Sequence, residues 1–216
     1  MKEKNTSIIR HERVPIEELE RTIMRNAGKE KEIDENKPLK ERLKEPLSYR
    51  YDWAIRQLPQ RDKLKILDVG SWTGMFTYLM DTAGHDVTAF DKNQKYLEMV
   101  KANVPNAEIV KGELPELPFE DKSFDVVVAL QVIEHIEDDI KAVKEMYRVL
   151  KKGGRIIVTI PIERNLIANE HKHFYNFYDV MDLFEVLGND YTICKLNKFR
   201  KYDRPKNLFG VVYNKR

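Results

Sequence analysis

The chain has 216 residues, 42% hydrophobic and 34% charged, which is enough apolar material for one α/β domain plus an extension. Its 38 basic and 36 acidic side chains leave a net charge of +2, without the basic excess of a typical nucleic-acid binder; the basic end from Lys195 to Arg216 reads as solvated surface. A single cysteine, Cys194, excludes a disulfide framework and a cysteine-rich metal site.

No apolar run approaches the roughly 18 residues of a membrane span. The start, Met1 to Pro15, lacks the apolar stretch of a secretory leader. A soluble, cytoplasmic protein is expected, with no signal for its oligomeric state.

The first predicted element is a helix with apolar residues at Ile16, Leu19 and Ile23. A charge-rich linker follows, with twelve of the nineteen residues from Gly28 to Pro46 charged. Another helix is expected near Ser48 to Leu58. We divide the chain into a charged helical extension or lid, 1–48, and a main domain, 49–216.

The main domain alternates short apolar strands with helical patterns. Lys65–Val69 reads as a strand, and "MFTYLMDTAG" as a helix ending near Gly84. Asp86–Phe90 is a strand ending at Asp91, and "QKYLEMVKAN" a helix with Tyr96, Leu97 and Val100 on one side. Ala107–Lys111 is a third strand. Phe124–Leu130 is a continuous apolar run, as in a strand buried on both faces. "DDIKAVKEMYRVLKKGG" reads as an amphipathic helix with Ile140, Val143, Tyr147 and Leu150 inward, closed by its glycines. Arg155–Ile160 is a fifth strand, stopped by Pro161. A helix over "VMDLFEVLG" and two strands, "YTICKLNKF" and "LFGVVYNKR", complete the chain.

Such alternation gives a mostly parallel sheet with helices on both faces. Ligands of these sheets bind beyond the carboxyl ends of the strands. Asp68–Gly74, Asp91, Gly112–Leu114 and Gln131–His135 all follow strand ends, so they are expected to converge. The turn "DVGSWTG" is not a dinucleotide fingerprint, because its glycines, Gly70 and Gly74, stand four apart. No Lys-Ser/Thr pair follows Gly74, so it is not a phosphate loop either. Asp68 at the strand tip opposes a phosphate but suits an α-ammonium group.

This frame resembles motif I of the class I S-adenosylmethionine-dependent methyltransferases, acid-x-Gly-x-Gly-x-Gly, with Trp72 in the middle glycine's place. "KGELPELPFEDKSFDVVVALQVIEHIED" and "MYRVLKKGGRIIVTIP" resemble the family's later motifs. The likeness runs from about Tyr49 to Pro161. It implies an α/β, Rossmann-like, seven-stranded sheet with a final antiparallel strand. It implies S-adenosyl-L-methionine as cofactor, held by Asp68, Gly70, Ser71, Trp72 and Gly74 of the turn. Asp91 would take both ribose hydroxyls and Lys92 would flank the adenine. Gly112, Glu113 and Leu114 would sit at the adenine edge, with Leu130 and Gln131 near the methionine. The helix before the first strand would cover the methionine end through Tyr49, Arg50 or Tyr51, with core packing as the competing role of Tyr51 and Trp53. A bound nucleoside requires Trp72 to offer it backbone rather than ring.

A sulfonium methyl needs an acceptor held in line with it. His135 is the candidate general base; its competing role is to cap or pack the following helix. Glu134 would orient a ligand or sit at a helix start. In "NEHKHFYNFY", His171, His173 and Tyr175 are candidate acceptor-binding residues, with a helix entry as the plain alternative. Some relatives bind a divalent ion through acid-x-x-Glu-His. Gln131 replaces that acid here, so no metal is expected, although Glu134, His135 and His171 or His173 could still gather one. The expected activity is methylation of a small molecule. The alternatives are an RNA or protein acceptor, or a non-catalytic cofactor-binding partner subunit.

Overall fold

A computed structural model of the protein describes residues 49–162, 171–196 and 208–216. The extension, 1–48, lies outside them, as does its expected helix. Among the described residues no helix is long and apolar enough to cross a membrane.

Helix α1 (Tyr49–Arg56) leads into β1 (Lys65–Val69), α2 (Met75–Thr82), β2 (Asp86–Asp91), α3 (Gln94–Asn103) and β3 (Glu108–Lys111). Next come β4 (Phe124–Leu130), a short 3-10 turn (Ile133–His135), α4 (Asp139–Val149) and β5 (Leu150–Pro161). The chain ends with α5 (Phe177–Glu185), β6 (Tyr191–Leu196) and β7 (Leu208–Asn214). The seven strands form one sheet in the order β3-β2-β1-β4-β5-β7-β6. Only β7 runs antiparallel, between β5 and β6.

Side-chain alternation makes two cores from one sheet. Ile66, Val126, Val128 and Ile157 face Tyr51 and Ala54 of α1 and Phe76, Leu79 and Met80 of α2. Leu67, Val127, Ala129, Ile156 and Val158 face Met146 of α4 and Leu183 and Phe184 of α5. Both faces are therefore covered, and the free edge for a ligand is the carboxyl end of the central strands.

Two sequence expectations need correction. The inward stripe of α4 is Ala142, Val143, Met146 and Val149, while Ile140 is 44% exposed. The true stripe shares Val143 with the expected one but is rotated about the helix axis, because small Ala142 takes a core position that a search for large residues passes over. The glycines do not close the helix, since β5 begins at Leu150 directly after it. Gly153 and Gly154 fall in the register shift where β5 bulges against β4, and Gly153 has φ 74, a conformation that suits a bulge as well as a helix end.

Candidate active site

Strand β1 ends on Asp68 and Val69, and the chain then turns through Gly70, with φ 67, to Gly74. A Cβ on Gly70 would lie 2.5 Å from Val132 Cγ2, so the turn packs against the segment after β4 only if residue 70 is glycine. Gly74, with φ 79, is the N-cap of α2 and packs on Val100. It does not reach the cavity.

The carboxyl ends of β1 to β4 enclose a cavity of about 860 Å³. Asp68, Gly70, Ser71 and Trp72 of the turn line it. So do Asp91 and Lys92 after β2, Gly112, Glu113 and Leu114 after β3, and Leu130 and Gln131 at the end of β4. Glu134, His135 and His171 line it as well, whereas His173 and Tyr175 do not. The His173 Nε2 lies 3.1 Å from the Glu137 carbonyl. Tyr175 is buried in the core and donates its hydroxyl to Asp139 Oδ2 at 2.6 Å; this burial, then the Asp139 carboxylate, pushes its hydroxyl pKa well up.

Asp68 is buried, and Thr77 donates its hydroxyl to it at 2.6 Å. Burial pushes its pKa up from 3.8 to about 7, the Thr77 hydrogen bond opposes this, and the nearby Asp91 adds to it. The Asp91 carboxylate accepts the Trp72 N–H at 2.9 Å on one oxygen and the Asn93 N–H at 2.8 Å on the other. Each oxygen keeps a further lone pair.

Trp72 holds φ 48, the left-handed region that glycine tolerates best. Its N–H is fixed by Asp91, and its ring meets Tyr96 edge-on at 6.3 Å between centroids. The bulky residue thus rests on the first turn of α3 along the cavity wall. The Ser71 hydroxyl is buried with no hydrogen-bond partner among the described residues. Lys92 donates to Glu113 at 2.9 Å across the mouth.

Sequence reasoning underused Arg50. From α1 its guanidinium reaches the Gln131 side chain, donates to the Tyr51 hydroxyl at 3.1 Å and lies over the Tyr51 ring. Its Nε is buried without a hydrogen-bond partner among the described residues. Gln131 itself has φ 61 and donates its backbone N–H to Thr159 O at 2.9 Å. A strained residue at a strand end, bracing a half-buried cation, is a common mark of a functional site.

Glu134, 1% exposed, sits in the 3-10 turn after β4. Its carbonyl accepts the backbone N–H groups of Lys172 and His173 at 2.7 and 3.2 Å. That pins the segment carrying His171 to the turn, and the His135 and His171 rings stand 4.7 Å apart, edge to face.

A family model described as "Methyltransferase domain" matches residues 67–158. A demethylmenaquinone methyltransferase of Staphylococcus aureus is 33% identical over 138 residues, 61% of this chain and 57% of that protein. One from Chlorobaculum tepidum is 34% identical over 119 residues, 54% and 49% of the two chains. Over residues 67–158 the chain is similar to the methyltransferase domain of these proteins. It spans about half the length of the relatives it matches.

Solved structures share this methyltransferase fold. The YcgJ protein of Bacillus subtilis superposes with a TM-score of 0.67 at 16% identity, covering 78% of this chain and 98% of its own. An S-adenosylmethionine-dependent methyltransferase of Mesorhizobium loti gives 0.65 at 17%, covering 77% and 98%.

The methyltransferase cofactor fits the residues present. Buried Asp68 has no cationic partner among the described residues, and Asp91 offers two acceptors to a diol. Arg50 Nε and Ser71 Oγ are buried without a hydrogen-bond partner among the described residues, and both residues line the same cavity.

Proposed function

We propose that this chain transfers a methyl group from S-adenosylmethionine to a small-molecule acceptor. The observation that carries the reading is a pair of opposite charges, buried Asp68 and half-buried Arg50, that line one cavity together with His135. A zwitterionic amino-acid group asks for that arrangement, with an acid for the ammonium and a base for the carboxylate. The bound cofactor supplies an activated methyl on a positively charged sulfur.

The residues divide the work. Asp68 takes the α-ammonium, and Arg50 takes the carboxylate in exchange for Gln131. Asp91 takes the ribose hydroxyls while also holding the turn. Gly112 and Leu114 line the base's side, with Lys92 and Glu113 at the rim. His135 stands at the acceptor end, where it accepts the acceptor's proton. Glu134 and His171 frame the same end. The balanced net charge and relatives named for demethylmenaquinone support a small molecule of the quinone class over RNA.

Calorimetry with S-adenosylmethionine and S-adenosylhomocysteine tests the reading, and failure of the protein to bind either one sinks it. A sharper arm uses Arg50→Gln. Losing one charge-assisted contact of about 1.5–3 kcal/mol weakens S-adenosylhomocysteine roughly 10- to 100-fold. The same variant should bind a carboxylate-free analogue, decarboxylated S-adenosylmethionine, as the parent does. Equal losses for both ligands would remove the carboxylate role.

A further inference from the structure

We propose that Arg148, which lies outside the cavity, is a positioning residue that sets the cavity's selectivity for the cofactor's base. The clamp that Arg148 forms stands on geometry alone; its effect on the base rests on the methyl-transfer reading above.

The wall concerned is the loop from Gly112 to Ser123, which joins β3 to β4 without a helix or strand. Gly112, Glu113 and Leu114 at its start line the cavity. A segment with no ladder of its own keeps its place through tertiary contacts. Arg148, in the last turn of α4, makes a full set of them. Its Nη1 donates to the Phe119 carbonyl and to Asp121 Oδ1, each at 2.8 Å, and its Nη2 donates to the Leu117 carbonyl at 2.9 Å. Its Nε and Nη2 also donate to the two Glu145 carboxylate oxygens, each at 2.8 Å. These bonds occupy all five N–H groups of the guanidinium. Glu145 in turn accepts the Leu117 N–H at 3.3 Å. One ion pair on α4 therefore holds both backbone groups of Leu117.

A single side chain links this clamp to the cavity. Phe119 stands edge-on to Phe90, with 6.0 Å between centroids, and to Phe124, with 5.0 Å. Phe90 lines the cavity, and a Cβ on Gly112 would lie 2.4 Å from its ring. Phe90 is thus wedged between Phe119 and the backbone at Gly112, so a shift of the loop at Phe119 disturbs the wall from both sides. Buried Leu114 and Leu117 tie the same stretch to the core. Telling one base from another requires the wall to hold its place within about 0.5 Å. An arginine fork can fix two carbonyls at once, whereas the point charge of a lysine cannot hold both in a set geometry.

The test compares S-adenosylhomocysteine with S-inosylhomocysteine, in which a carbonyl replaces the exocyclic amine of the base, by calorimetry on the full chain. The parent should prefer the adenine ligand at least about tenfold. Arg148→Ala should bring that ratio close to one. Arg148→Lys, which keeps the charge without the fork, should keep an intermediate ratio. Asp121→Asn weakens only an exposed ion pair, leaves both carbonyl bonds, and should keep the parent's ratio. Hydrogen exchange followed by NMR, without ligand, should show the Leu117 amide about tenfold less protected in Arg148→Ala, with the Gln131 amide, bonded to the Thr159 carbonyl, unchanged. Circular dichroism confirms that each variant is folded, and Arg148→Lys carries the test if Arg148→Ala is not. Equal losses for the two ligands are the mark of a merely structural arginine and overturn the selectivity role, as does a parent without preference. Unchanged protection at Leu117 overturns the clamp. A parent that binds neither ligand removes the methyl-transfer reading and the effect on the base with it, while the exchange result still decides the clamp.

Discussion

Asp68→Asn should make the ligand-free protein more stable above neutral pH and at the same time weaken cofactor binding. In the folded chain burial lifts the Asp68 pKa from 3.8 to about 7. Between those two values the folded state binds more protons than the unfolded state, so stability falls as pH rises. Below pH 4 the group is protonated in both states and the penalty is absent; above pH 7 it is complete. Three units correspond to about 4 kcal/mol at 1.36 kcal/mol each. Asparagine has no charge to desolvate and still offers Thr77 an acceptor. For a chain of this length the Tm at pH 8.5 should rise by roughly 8–16 °C, with no change at pH 4. Thermal melts across that range decide it; parallel curves for parent and variant at every pH would refute the buried-charge account. Binding carries the opposite sign. A ligand ammonium supplies the partner that the carboxylate lacks, so the parent's affinity for S-adenosylhomocysteine should fall about tenfold per pH unit below 7 and level off above it. Asp68→Asn should show no such slope.

How far the sequence discloses this arrangement depends on the range of the interactions involved. β4 is legible to the residue because both faces of the sheet are covered, which demands an unbroken apolar run bounded by polar residues. α3 is legible because Asp91 and Asn93 end the strand and cap the helix; Asn93 accepts the Lys95 N–H at 3.0 Å. The start of β5 is not, because glycine marks a helix stop and a strand bulge equally well. The cavity is legible as a set of strand ends, since parallel topology alone brings Asp68, Asp91, Gly112 and Gln131 to one edge. Arg50 is different. Its partner Gln131 is 81 residues away, and nothing in "YRYDW" says which side chain crosses the cavity. His171 and His173 are likewise equivalent in sequence. Only the backbone bonds from Lys172 and His173 to Glu134 turn one ring toward the cavity and leave the other outside.

Asp91→Ala is the other substitution with a large expected effect, and it ties the unusual tryptophan to the ligand. Asp91 joins two tasks: one oxygen holds the Trp72 N–H and the other the Asn93 N–H, while the outer lone pairs face the cavity. Removing two charge-assisted ribose bonds of about 1.5 kcal/mol each should raise Kd for S-adenosylhomocysteine at least ~100-fold. Asp91→Asn keeps one acceptor and should lose about tenfold. The ribose is common to 5′-methylthioadenosine, which lacks the amino-acid end, so both ligands should lose the same factor. A loss confined to S-adenosylhomocysteine would place Asp91 at the methionine instead. Trp72→Gly separates the two tasks. It removes a strained residue worth roughly 1–3 kcal/mol and an aromatic pair worth about 0.5–1.5 kcal/mol, and it leaves both Asp91 oxygens in place. Binding should survive within a few fold, because the turn's contribution is its backbone N–H and the ring rests on Tyr96. Abolished binding in Trp72→Gly with intact folding would mean instead that the ring, and not Asp91 alone, contacts the nucleoside.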